Sequence, residues 1–215
     1  MENTMSNIMN DINSKHILFK SRYAVTYKRE LESLLGINQS AEIIHTAVLI
    51  FDVLKERYPH LLKKEQFHTY TNIFPVIAFY KALTEHGIDS PMAILEKGAA
   101  EISCKKGKSY SKIVSMPGMK GIFLKMFSGG VKTLFGEAAG FRQEFLKNDR
   151  RSLEFNITQC PYQFYCEKEG CPELVHIFCQ NDEYAYGHLP GITFIRIQTL
   201  GTGGELCDFK FRRTV

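Results

Sequence analysis

Apolar side chains in the first half of the chain recur at helical spacing. Ile43, Ile44, Ala47, Val48, Phe51, Val53 and Leu54 fall three or four positions apart and stop before Tyr58-Pro59, which predicts a helix with one face against a core. A second run, Phe67, Tyr70, Ile73, Phe74, Ile77, Tyr80 and Leu83, ends at Gly87. Pro75 lies inside it, and a proline there either kinks the helix or marks its true start. A shorter helix is expected from Pro91 to Cys104. Between Lys105 and Lys132 there are seven lysines and no acid, interleaved with Met119, Ile122, Phe123, Met126, Phe127 and Val131 and interrupted by Gly118, Gly121, Gly129 and Gly130. This pattern predicts a broken core helix with a solvated lysine face, preceded by a flexible Lys105-Lys106-Gly107-Lys108 loop. A membrane-surface helix and a cationic lid that draws in a small anion are two other uses of the same pattern.

Beyond about residue 150 the period falls to two. Leu153, Phe155 and Ile157 alternate with Glu154, Asn156 and Thr158, as in a strand with one buried face. Pro172 suits the first turn of a helix running from Glu173 to about Glu183. Ile192 to Thr199 and Glu205 to Arg213 read as two strands joined across the glycine turn Gly201-Thr202-Gly203-Gly204. The expected class is α+β: N-terminal helices packed on a small C-terminal antiparallel sheet, with one intervening helix. Residues 1–150 form the mainly helical part. Residues 151–215 form a cysteine-rich α+β part sharing the same core, a single domain overall.

Composition narrows the function classes. With 215 residues, 44% apolar, 23% charged and a formal charge of +4, the chain has ordinary globular values and no bias toward nucleic acid. Met1 to Tyr23 is polar and holds no apolar signal segment, and the apolar stretch Ala47 to Phe51 is too short to span a bilayer. A cytoplasmic protein without a membrane partner is therefore expected. Thiols stay reduced there, so clustered cysteines point to catalysis or metal binding rather than disulfides.

The cysteines are clustered. Five of six, Cys160, Cys166, Cys171, Cys179 and Cys207, lie in the last quarter of the chain, and Cys104 stands apart. His176, Cys179 and Asp182 or Glu183 share a helix face, which gives a thiol both an imidazole and a carboxylate. Strand alternation sends Cys207, Phe209 and Phe211 one way and Asp208, Lys210 and Arg212 the other. Arg196 is expected mid-strand on the apolar face of Ile192 and Phe194, where a buried guanidinium needs a partner. A substrate carboxylate, Asp182 and Asp208 are the alternatives. No CxxC occurs, so a zinc knuckle is not expected, although Cys160, Cys179 and Cys207 from separate elements remain a candidate metal set.

Several of these segments occur together in order: Asn156-Ile-Thr-Gln-Cys160-Pro-Tyr162, Pro172-Glu-Leu174, Phe178-Cys-Gln-Asn-Asp182, Phe194-Ile-Arg196, Thr199-Leu200 and Gly203-Gly-Glu-Leu-Cys-Asp-Phe209. Over about residues 115–213 the chain resembles the L-2-amino-thiazoline-4-carboxylic acid hydrolase family. Its closing glycine turn, cysteine and aromatic strand are also similar to small-ligand domains of the 4-vinyl reductase type. The first resemblance implies opening of a cyclic amidine by attack on the ring carbon between sulfur and nitrogen, with an acid to protonate the leaving atom and a cation for the ring carboxylate. It places Cys207 as nucleophile, Cys179 second, Asp182 as general acid/base and Cys160 beside them. For substrate binding it implies Arg196 as carboxylate clamp, with Asp208, Gly203, Gly204 and His188. No cofactor is expected beyond that thiol-metal set. The expected partner is a small-molecule substrate, with no nucleic acid; homo-oligomer formation is left open. The alternative from another class is a small-ligand or metal-binding sensor that performs no turnover.

Overall fold

The computed structural model describes residues 15–214. The expectation for the polar segment Met1–Tyr23 lies outside these residues as far as residue 14. The chain divides into two compact units, Met1–Ala99 and Ala100–Val215.

In the first unit Ser21 caps helix α1 (Arg22–Leu35), its hydroxyl accepting the Ala24 N–H at 3.4 Å. Gly36, at φ +80°, turns the chain directly into α2 (Ile37–Arg57). Of the periodic positions, Ile43, Ile44, Ala47, Val48, Phe51 and Leu54 are buried and Val53 is exposed. Helix α3 (Lys63–His68) passes through a π-helical turn, Thr69–Ile73, into α4 (Phe74–Glu85). Pro75 sits in the first turn of α4, so it marks a start and not a kink. Helices α2 and α4 lie side by side, and Phe51, Phe74, Ile77, Phe79 and Leu83 are fully buried. Among the described residues, α2 is the one helix whose length and mean hydropathy (1.2) would suit a membrane span. Its buried apolar stripe is what a core helix of this unit requires.

Helix α5 (Pro91–Val114) runs across the division. The second unit then holds α6 (Met119–Leu134), β1 (Arg142–Asn148), β2 (Ser152–Gln159), α7 (Pro161–Lys168), a 3-10 turn Pro172–Leu174, α8 (Val175–Tyr186), β3 (Ile192–Ile195) and β4 (Cys207–Arg213). The four strands form one antiparallel sheet in the order β1-β2-β4-β3, so the protein is α+β. Alternation sets the buried face: Leu153, Phe155 and Ile157 of β2 and Cys207, Phe209 and Phe211 of β4 share a core with Phe123, Leu124 and Val131 of α6. Phe155 and Phe209, directly opposite in register, stack at 4.8 Å.

Five local expectations need correction. The Lys105–Lys108 segment is helix, because α5 continues past Cys104 to Val114. Gly107 is there for close approach: a Cβ at this position would come within 2.6 Å of the Tyr184 carbonyl oxygen on α8. Helix α6 is unbroken despite its internal glycines. Residues 142–148, expected within the helical part, form strand β1, a sheet edge with no buried residue and two irregularities in register, so it carries little alternation. Two helices, not one, lie between β2 and β3, since Pro161 starts α7 immediately after β2. The last two strands do pair, but each is shorter than expected. The connection from Arg196 to Leu206 is a folded loop with a 3-10 turn at Leu200–Thr202.

Candidate functional site

Three thiols from three elements lie within reach of one another's charge in the second unit. Cys160 follows the end of β2, Cys179 lies midway along α8, and Cys207 opens β4. The 3-10 turn Leu200–Thr202 joins two of them. The Leu200 N–H donates to Cys207 Sγ at 3.3 Å, and a Cβ on Gly201 would stand 2.8 Å from Cys179 Sγ. Cys160 is close enough to both for their charges to act on it. Burial pushes the Cys160 thiol up to about 12 and Cys207 up to about 11, the Leu200 N–H offsetting part of the latter. Cys179 is also raised, first by burial; the Thr199 hydroxyl, the Gly201 N–H and Arg196 oppose the rise. All three are therefore protonated at neutral pH, and Cys179, half-buried, has the most groups ready to stabilise a thiolate.

Asp182 lies one turn beyond Cys179 on α8. Its carboxylate accepts Arg196 Nη1 at 2.8 Å. Burial pushes Asp182 up to about 6, against the pull of Arg196 and Lys106. The Arg196 side chain is 6% exposed. Its Nη2 donates to the Cys179 carbonyl at 2.8 Å and to Glu183 Oε1 at 3.2 Å, and its guanidinium lies over Phe194 and Phe209 at 5.8 and 5.6 Å. Of the alternatives for its partner, Asp182 is the one realised, joined by Glu183. Arg196 lies just past β3 rather than mid-strand.

The other expected residues play different parts. Asp208 faces away from Cys207, as alternation requires, and its Oδ1 accepts the Ile197 and Gln198 N–H groups, each at 2.8 Å. Its Oδ2 accepts Lys210 at 3.1 Å. Burial alone would raise Asp208, but these donors hold it below its ordinary value. Gly203, at φ +84°, closes the 3-10 turn, and the Gly204 N–H bonds the Thr199 carbonyl at 2.9 Å. His188 sits exposed on the turn before β3, where its carbonyl accepts the Ser111 hydroxyl at 3.5 Å. His176 does not join the Cys179 face: it is exposed, while Val175 and Cys179 meet Gly201.

Sequence reasoning gave no role to Thr199 and Tyr186, and named Gly201 and Lys106 only as parts of the glycine turn and of the lysine-rich segment. Lys106 Nζ lies over the rings of Tyr110 and Tyr186 at 5.6 and 5.7 Å, and those rings stack on each other at 5.9 Å. The four-residue spacing of Lys106 and Tyr110 was a usable signal once the segment is read as helix. Cys166 and Cys171, the other two cysteines of the cluster, are buried neighbours. The hydrogen bond to Cys171 is the first cause that raises Cys166, burial the second. Among the described residues no group of three or more His, Cys, Asp or Glu side chains is arranged to hold a metal ion.

A family model described as L-2-amino-thiazoline-4-carboxylic acid hydrolase matches residues 66–211. No curated protein matches the chain. Similar solved structures include the Fe(II) unliganded H-NOX protein from K. algicida, at 11% identity and TM-score 0.36, covering 90% of this chain and 95% of that one. Another, described as modulating heme redox potential through protein-induced porphyrin distortion, has 12% identity and TM-score 0.29, with 88% and 96% covered. TM-scores this low bear on neither fold nor function.

Proposed function

Because the chain belongs to the L-2-amino-thiazoline-4-carboxylic acid hydrolase family, we propose that it opens the ring of a small thiazoline carboxylate by hydrolysis at the amidine carbon. The observation that carries this reading is that Cys160, Cys179 and Cys207, from three elements, lie within reach of one another's charge, with the hydrogen-bonded Asp182–Arg196 pair near Cys179 and Cys207. The amidine carbon bears the ring sulfur, the ring nitrogen and an exocyclic nitrogen. Adding water and breaking the carbon–sulfur bond yields an N-carbamoyl cysteine; breaking the ring carbon–nitrogen bond yields the S-carbamoyl isomer.

Of the two expected nucleophiles, Cys179 has the better surroundings and Cys207 stands second. Cys207 is 7% exposed, whereas Cys179 is half-buried, one turn from Asp182, and faces the Thr199 hydroxyl and the Gly201 N–H. A resting thiol needs a base, and Asp182 is deprotonated at neutral pH. In this scheme Cys179 Sγ bonds the carbon of the protonated amidine while its proton passes to Asp182, and the carbon–nitrogen π pair moves onto nitrogen. Collapse expels the ring sulfur, which takes that proton back. Water then attacks the same carbon, Cys179 leaves as the thiol, and the carbamoyl product is released. Arg196 orients Asp182 and anchors the Cys179 carbonyl. Cys160 lends its thiol to the wall of the site.

Turnover of 2-amino-2-thiazoline-4-carboxylate by the wild type, Cys179→Ser and Cys207→Ser tests the assignment. Cys179→Ser is expected to lose at least about a hundredfold in kcat. Full activity in both variants excludes thiol catalysis. The raised thiols favour one second reading, a ligand-binding domain without turnover. Saturable binding of this ring with no product from the wild type would establish it.

A further inference from the structure

The hydrolase reading leaves open which cation receives the ring carboxylate. Arg196 is the sequence candidate, but its charge is already spent: two carboxylates, Asp182 and Glu183, hold its terminal nitrogens at 2.8 and 3.2 Å, and the second nitrogen also bonds the Cys179 carbonyl. Two acids around one guanidinium leave this corner net negative, which repels an incoming carboxylate. A substrate acid placed on Arg196 would have to displace Asp182, the group needed as base.

Lys106 differs on each count. It makes no ion pair among the described residues, its neighbour Lys105 taking Glu101 at 2.6 Å. Its ammonium is nonetheless held in place, over Tyr110 and Tyr186 at 5.6 and 5.7 Å. Tyr186 stands one turn after Asp182 on α8, and burial and the nearby Asp182 charge both push its phenol well up. The approach of α5 to α8 that sets this distance depends on Gly107, whose hydrogen faces the Tyr184 carbonyl where a methyl would clash at 2.6 Å. Lys106 is therefore an exposed cation positioned by aromatic faces beside the acid/base group.

From this geometry we infer that Lys106 is the specificity residue that binds the substrate carboxylate, while Arg196 acts as a positioning residue for Asp182 and Cys179. The inference rests on the proposed function for the identity of the substrate. The ring enters with its acid toward Lys106 and the Tyr110–Tyr186 pair, which directs the amidine carbon toward the thiols.

The test compares 2-amino-2-thiazoline-4-carboxylate with 2-amino-2-thiazoline, which lacks the acid, on the full chain. Lys106→Met is expected to raise KM for the acid about tenfold, the loss of one partly exposed charged contact, with kcat retained. The same variant should leave KM for the acid-free ring unchanged, and Lys106→Arg should restore most of the affinity for the acid. Binding of both rings is measured in parallel by calorimetry. Equal affinity of wild type and Lys106→Met for the acid, equal losses on both rings, or no binding of the acid to the wild type overturns the role of Lys106. Lys106-dependent binding without turnover upholds the Lys106 role and overturns the hydrolase reading instead.

Discussion

Replacing Asp182 by asparagine preserves the side chain's shape and removes a carboxyl that burial has pushed from its ordinary 3.8 up to about 6. Such a group holds its proton more tightly in the folded chain than in the unfolded one. Its contribution to stability is therefore fully present below about pH 4 and is lost as pH rises through about 6. About two pH units at about 1.4 kcal/mol each set an upper figure of about 3 kcal/mol. The side chain is 28% exposed, and solvent screening reduces the expected figure to about 1–2 kcal/mol. The pull of Arg196 is already contained in the shift, since it acts against burial there. Urea unfolding of wild type and Asp182→Asn at matched pH values from about 4 to 7.5 isolates the effect, because the remaining titratable groups are common to both. The stability of wild type relative to the variant should fall by about 1–2 kcal/mol across that range. The kcat/KM profile of the wild type should rise through about pH 6, and that limb should vanish in the variant. A relative stability that is flat with pH, or that grows as pH rises, refutes the raised Asp182 and with it the expected activity limb near pH 6.

What could be read from the sequence follows from where burial is one-sided. Leu153, Phe155 and Ile157 announced β2 because one face is core and the other is not. Strand β1, all edge, offered no such contrast. Lys105 to Lys108 read as a loop because a glycine among lysines is a local helix breaker. Its reason is a contact with Tyr184, 77 residues away in sequence, which no local rule contains. The same limit applies at the site. Motif order pointed to Cys160, Cys179, Cys207, Asp182 and Arg196, but the partner of Arg196 stayed open among three acids until the chain was folded. Gly201 and Lys106 act through approach and ring faces, which spacing along the chain does not encode. His176 shares the helical spacing of Cys179 yet turns to solvent, because Val175 and Phe178 claim the buried side.

Two further substitutions probe how the turn carries the thiols. Asp208→Ala strips the Ile197 and Gln198 N–H groups of their shared acceptor in a residue 6% exposed. A loss of about 2–4 kcal/mol in urea unfolding is expected at pH 7. That deficit should shrink on acidification, since a carboxyl held below its ordinary value gives stability at neutral pH and loses it as pH falls; a deficit independent of pH would contradict the assignment. Gly201→Ala places a methyl 2.4 Å from Val175 Cγ1 and 2.8 Å from Cys179 Sγ. Because Val175 belongs to the core, relief must come from the turn, with a cost of about 1–3 kcal/mol. Gly129→Ala is its control: it lies in α6 with nothing within 4 Å of the added carbon, and it should be neutral or stabilising by up to about 1 kcal/mol. As the turn moves, the Leu200 and Gly201 N–H groups leave the sulfurs they oppose, so the thiols of Gly201→Ala should ionise at higher pH than those of Gly129→Ala in a thiolate absorbance titration. Identical titrations in the two variants would mean that the turn only packs against Cys179 and Cys207 and does nothing to prepare them for chemistry.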